Sequence, residues 1–259
     1  MTQDNLKVSL IQGDVRLGDA DANLAHFSEL LKLVPTDCQL VVLPEMFSTG
    51  FSMNTADNAE EMNGKTVSWI RETAIQYGYA ILAGVMIKEN DGYYNRAIFV
   101  YPDGSYKYYD KRHLFSYGKE NEYYNAGDKR VIISFLGWRI RLQICYDLRF
   151  PVWSRNQNDY DILAYIASWP DARQTVWNIL PVARAIENQC YVLASNRVGN
   201  DSSGNYAGES RIIDPKGIAI ATSEPYKEQL VTGTLSLSEL KRFREKFNVA
   251  ADADNFTTD

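Results

Sequence analysis

The chain has 259 residues, with 27 Lys and Arg against 33 Asp and Glu, a formal net charge of −6 and a pI near 5.1. That balance argues against a nucleic-acid partner, which calls for a basic face, while 45% hydrophobic and 23% charged residues argue against wholesale disorder. Three cysteines are too few for a disulfide framework, and no apolar run approaches the roughly 18 residues of a membrane span.

The opening MTQDNLKVSL lacks a basic-then-apolar leader, so a cytoplasmic protein with reduced cysteines and no membrane partner is expected. The glycosylation-like triplets at Asn200 and Asn255 are read as chance. Lys7–Gln12 reads as a strand. Ala22–Val34 carries apolar residues at helical spacing and stops before Pro35. Gln39–Leu43 is a short apolar run of the kind buried on both faces of a sheet. Thr66–Tyr77 is a helix closed by Gly78. Ala80–Ile87 and Tyr94–Tyr101 are strands, and Pro102-Asp103-Gly104 turns the chain into Tyr106–Tyr109. Val131–Phe135 and Trp138–Ile144 form a hairpin about Gly137, and Asp161–Ile166 is another apolar strand. Val176–Asn188 is helical in composition, with Pro181 expected to kink it or mark its first turn. Tyr191–Ala194, Ser210–Ile213, Ile218–Thr222 and Gln229–Thr234 complete the strands. Ser236 and Glu239 form a capping box for a helix running to about Phe247. Ala250–Asp259 is an acidic tail expected to be mobile. No low-complexity linker or solenoid repeat divides the chain, so one α/β domain over 1–259 is expected, with strands enough for two sheets.

Cys145 ends an apolar strand and is followed by a turn-forming stretch. A nucleophile placed there is exposed beside a free backbone N–H, although a small buried hydrophobe fits the segment too. Cys38 and Cys190 sit at buried strands without charged neighbours. Cysteine chemistry needs a base. His26 lies on the first helix and reads as a surface residue. His113, in a charged segment after a strand, is a possible base. Glu45 follows an apolar strand closed by Pro44, where desolvation favours general-base work, although a solvated loop acid fits the segment too. Lys111 ends the strand after Tyr106 and suits oxyanion stabilisation, or simply solvent. Ser116 and Lys119 match S-x-x-K without the partner motifs. The tyrosines from Tyr93 to Tyr109 suit hairpin packing or an oligomer surface. No phosphate loop and no metal-ligand spacing occurs.

Taken in order, Leu43-Pro-Glu45-Met-Phe, Asp110-Lys111-Arg-His-Leu-Phe and Ile144-Cys145-Tyr-Asp-Leu-Arg-Phe-Pro resemble the carbon–nitrogen hydrolase (nitrilase) superfamily, and the similarity continues to Gly208–Pro215. The segments around Glu45 and Lys111 are most similar to its bacterial omega-amidase branch. The resemblance implies a four-layer α-β-β-α sandwich, commonly a homodimer, and a Glu45–Lys111–Cys145 triad. Glu120, ahead of its neighbour Glu122, matches the family's fourth acid. It also implies amide hydrolysis through a thioester, without metal or cofactor. The Tyr146 N–H then helps Lys111 hold the oxyanion. Small dicarboxylate monoamides such as 2-oxoglutaramate are the implied substrates. For their distal carboxylate Arg149 is the first candidate, or else an ion pair for Asp147, and Arg173 the second; Trp169 and Phe115 wall the pocket or pack the core. Nitrile, N-carbamoyl or aliphatic amide hydrolysis fits the same triad, and a silent scaffold is the alternative of another class. A low-pKa thiolate at Cys145 would be open to oxidation.

Overall fold

The computed structural model describes residues 3–254; residues 255–259, which hold Asn255 and the end of the expected mobile tail, lie outside the described residues. In chain order the elements are β1 (Asn5–Gln12), α1 (Ala20–Leu31), β2 (Leu40–Val42), α2 (Thr55–Asn58), α3 (Lys65–Tyr77), β3 (Ala80–Glu89), β4 (Gly92–Val100) and β5 (Tyr106–Asp110). There follow α4 (Glu120–Tyr123), β6 (Ile132–Phe135), β7 (Trp138–Ile144), α5 (Pro151–Ser154), β8 (Ile162–Ala167), α6 (Gln174–Asn188) and β9 (Tyr191–Asn196). The chain then forms β10 (Val198–Asp201), β11 (Gly204–Ala207), β12 (Arg211–Ile213), β13 (Ala219–Thr222), β14 (Gln229–Ser236) and α7 (Leu237–Lys246).

Two six-stranded sheets result, ordered β14-β1-β2-β3-β4-β5 and β13-β12-β9-β8-β7-β6. Each has three parallel strands, β1-β2-β3 or β7-β8-β9, flanked by antiparallel ones. Parallel strands need both faces covered, and their residues divide accordingly. Val8, Leu10, Leu40, Val42 and Leu82 meet Ile140, Leu142, Ile144, Ile162 and Ile166 between the sheets. Val41, Leu43, Ile81 and Ala83 face Phe27, Leu31, Val67 and Ile70 of α1 and α3. Leu163, Tyr165, Val192 and Ala194 face Trp177 and Ala185 of α6. The fold is therefore α/β in four layers, helix–sheet–sheet–helix.

Local chemistry sets the boundaries. Asp19 caps α1 by accepting from Ala22 N at 3.0 Å, so the helix starts at Ala20, two residues before the expected Ala22. Gly78 ends α3 with φ +73°. Pro181 lies inside α6, which begins at Gln174 rather than Val176. Only half of the capping box forms: Ser236 Oγ accepts from Glu239 N, whereas Ser236 N donates to Tyr191 Oη. The β10–β11 hairpin had no strand signal in the sequence. Val249–Asp252 forms a short 3-10 turn, with Val249 N donating to Gln189 at 3.2 Å.

Candidate active site

Four strand ends converge at the C-terminal edges of the parallel strands and their neighbours. Glu45 follows β2 and Lys111 follows β5 in the first sheet; Cys145 follows β7 and Ser168 follows β8 in the second. Two of the turns are strained in the same way. Met46, next to Glu45, has φ +47° and Cys145 has φ +42°. Left-handed backbone costs a non-glycine residue about 1–2 kcal/mol and persists only where surrounding contacts impose it.

Glu45, Lys111 and Glu120 have no solvent exposure. Lys111 Nζ lies 2.9 Å from Glu45 Oε1 and 2.9 Å from Glu120 Oε2. Asn95, on β4, donates through Nδ2 to Glu45 Oε1 at 2.7 Å and Glu120 Oε1 at 2.9 Å. Ser168 N donates to Glu45 Oε2 at 2.8 Å and Phe115 N to Glu120 Oε2 at 2.6 Å. Two donors thus occupy Oε1 of Glu45 and one occupies Oε2, so Oε2 keeps the greater capacity for a proton.

Burial alone would push the Lys111 ammonium down, but Glu120 and Glu45 outweigh it and hold it charged. Burial raises the Glu120 carboxyl, Lys111 opposes and Glu45 adds to the rise. Cys145 is half-buried, and burial followed by the Glu45 carboxylate pushes its thiol well above the usual value, with Lys111 opposing. That direction runs against the expected low-pKa thiolate, and a raised thiol calls for a base to take its proton.

Cys145, Tyr146 and Lys111 open on a cavity of about 340 Å³, within the range of small-ligand sites. Arg149 and Arg173 both line it, as do Phe115 and Trp169. Arg149 lies 5.3 Å from the Trp169 ring, and Arg173 lies 5.0 Å from Phe115 and 5.8 Å from Tyr117. The guanidiniums are held by aromatic faces and paired with no described carboxylate. The alternative partner of Arg149, Asp147, accepts instead from Tyr109 Oη at 2.7 Å and His113 Nδ1 at 2.7 Å. Trp169 serves both of its expected uses, since it lines the cavity while packing 5.6 Å from Trp177.

Other candidates fall elsewhere. His113 is no base for Cys145: its ring bonds Asp147, stacks 3.7 Å from Phe150 and does not line the cavity. His26 pairs with Glu228 at 2.5 Å near the surface. Glu122 is exposed, unlike Glu120. Cys38 and Cys190 are buried, and burial raises both thiols. Tyr94 and Tyr108 stack on Arg96 at 5.4 and 3.7 Å.

Asn95, Ser168 and the wall residues Phe51, Ser202, Ser203 and Tyr206 escaped the sequence reading. Asn95 carried one signal: it shares a strand face with Ala97 and Phe99, which pack in the core between the sheets. A polar residue in such a row needs a polar partner.

A family model described as carbon-nitrogen hydrolase matches residues 7–245. Omega-amidase YafV of Escherichia coli K12 is 44% identical over 252 residues, covering 97% of this chain and 98% of that one. The 2-oxoglutaramate amidase of Bacillus subtilis is 33% identical over 250 residues, covering 95% and 96%. Among solved structures, XC1258 of Xanthomonas campestris, a CN-hydrolase superfamily protein with an arsenic adduct in its active site, superposes with a TM-score of 0.96 at 42% identity, covering 99% and 100%.

Proposed function

Since the chain belongs to the carbon-nitrogen hydrolase family, we propose that it is an omega-amidase. It hydrolyses the terminal amide of a dicarboxylate monoamide such as 2-oxoglutaramate to a carboxylate and ammonia. The observation that carries this reading is the pair of guanidiniums, Arg149 and Arg173, without described carboxylate partners in the cavity onto which Cys145 opens. A guanidinium matches a carboxylate in a bidentate fork. The similar omega-amidase and 2-oxoglutaramate amidase agree with it.

The mechanism follows from the groups present. Glu45 Oε2 takes the thiol proton as Cys145 Sγ attacks the amide carbon. Lys111 Nζ and the N–H of Tyr146 stabilise the tetrahedral oxyanion. That N–H stands in the first turn of a short 3-10 helix, Cys145–Arg149, where backbone donors lack helical partners. Glu45 then protonates the leaving ammonia, and the Cys145 thioester remains. A water deprotonated by Glu45 attacks the thioester carbon, the C–S bond breaks, and the proton returns to sulfur. Glu120 orients Lys111 and balances its charge.

The unit is a single catalytic domain and works in the cytoplasm as a homodimer. Exposed apolar side chains on the outer helix layer support the dimer: Ile179 and Ile186 of α6 are 58% and 51% exposed. Among the described residues no helix is long and apolar enough to cross a membrane.

Ammonia release from 2-oxoglutaramate by reduced protein tests the reading, with Cys145→Ala beside it. Release by the wild type alone is expected. Full activity in Cys145→Ala overturns the mechanism. Turnover of nitriles or N-carbamoyl compounds in preference to the amide overturns the substrate class.

A further inference from the structure

A second carboxylate beside Cys145 takes no part in these steps. Asp147 has no solvent exposure. It accepts hydrogen bonds from Ile144 N at 3.0 Å, His113 N at 3.0 Å, His113 Nδ1 at 2.7 Å and Tyr109 Oη at 2.7 Å. The Nδ1 proton of His113 is assigned from this acceptor. Tyr109 Oη in turn accepts from Arg112 N at 3.1 Å and Trp153 Nε1 at 3.0 Å. The His113 ring lies flat on Phe150, 3.7 Å away and 5° from parallel, which fixes the direction of its Nδ1.

The placement of these donors is the point. Tyr109 and His113 stand two residues before and two residues after Lys111. Ile144 immediately precedes Cys145. One carboxylate therefore joins the strand end that carries Lys111 to the strand end that carries Cys145, and these belong to different sheets. The bond to Ile144 N also closes the turn around Cys145, whose φ of +42° needs outside restraint. The position demands an acceptor only. An Asn of the same shape would turn its NH2 toward an N–H or O–H and leave two donors facing each other.

We infer that Asp147 is a positioning residue. Through Ile144, Tyr109 and His113 it holds Cys145 Sγ and Lys111 Nζ in register for attack, without touching the substrate. The inference rests on the amidase reading of the cavity.

Asp147→Asn is compared with wild type well below the melting temperature of each, by steady-state amide hydrolysis and by the rate of Cys145 alkylation with iodoacetamide. The variant is expected to lose about 100-fold in kcat with KM within about twofold. Alkylation is expected to slow about tenfold, because the thiol leaves the carboxylate that takes its proton. Alkylation requires no amide turnover. It therefore decides the role of Asp147 even where wild type releases no ammonia, an outcome that overturns the amidase reading alone. Should Asp147→Asn fail to fold, Tyr109→Phe and His113→Gln carry the test, each losing about tenfold in kcat at unchanged KM. Wild-type kcat and wild-type alkylation in the folded variants overturn the inference.

Discussion

A Cβ placed on Gly84 would stand 2.7 Å from the Cα of Glu45. Gly84 lies on β3, and the loop carrying Glu45 crosses directly over it, with Gly84 N donating to Pro44 O at 3.2 Å and Phe47 N to Gly84 O at 3.2 Å. The same Cβ would meet Met46 N at 2.7 Å, so backbone, not a rotamer, must move. Gly84→Ala is expected to displace Glu45 and lower kcat about 10- to 100-fold, while the protein still folds. Steady-state kinetics beside a thermal melt check it; unchanged kcat would show that the loop yields without moving the carboxylate.

Lys111 is the only described cation in contact with either Glu45 or Glu120. Removing one partner of a buried ion pair strands the others and costs about 3–5 kcal/mol. Lys111→Met should therefore lower the melting temperature more than Glu45→Gln or Glu120→Gln does. Equal melting temperatures across the three would contradict this.

The Glu120 carboxyl makes a pH prediction. Burial raises it, so the folded chain binds that proton more tightly than the unfolded chain. The stability gained is complete below the ordinary carboxylate range and is lost as pH rises through the raised value. Glu120→Gln, neutral throughout, lacks that loss. Measured against Glu120→Gln, the wild-type melting temperature should fall steadily as pH rises from about 4 to 7, whichever protein melts higher at the start. Parallel curves would exclude the effect.

Asp161 has the opposite sign. Burial would raise its carboxyl, but the hydrogen bond and charge of Arg139, with the charge of Arg244, hold it below the usual range. Its contribution is present above the ordinary carboxylate range and disappears as pH falls through the lowered value. Arg139 reaches it at 2.7 Å from β7 and Arg244 at 3.0 Å from α7. Arg244→Met should destabilise the protein near neutrality and flatten its acid unfolding below about pH 4. Acid melts of the two proteins check the slope.

The two guanidiniums of the cavity make the specificity prediction. Arg149→Ala and Arg173→Ala should each raise KM for an acidic amide about 10- to 100-fold, with far less effect on a neutral amide of similar size. Equal effects on both substrates would remove the arginines from carboxylate recognition.

The apolar strands were legible because burial on both faces leaves runs such as Gln39–Leu43 and Asp161–Ile166 with no polar interruption. The β10–β11 hairpin was not. Its sequence, VGNDSSGNYA, is turn-like throughout, and it is held from outside: buried Arg197 bonds Asp201 at 2.6 Å, reaches Asp14 at 3.4 Å and stacks 4.2 Å from Tyr206. Lys111 taken alone reads as a surface lysine. Its burial follows from two acids that are distant in sequence or in loop geometry, so the chain order of three strand ends, rather than any one segment, pointed to the site. The role of Asp147 was invisible for the same reason, since three of its four donors, Tyr109 Oη and His113 N and Nδ1, come from the strand end of the other sheet.

The position of β14 bears on how the protein comes into being. It hydrogen-bonds along β1 from Asn5 opposite Ser236 to Gln12 opposite Gln229, and so completes the sheet that carries Glu45 and Lys111. Every proposed reacting group precedes residue 150. A ribosome thus delivers the whole set while β1 still presents an open edge, the kind of edge that recruits foreign strands. The strand that seals this edge is made late in synthesis, and until it arrives the growing chain is exposed to mispairing at β1.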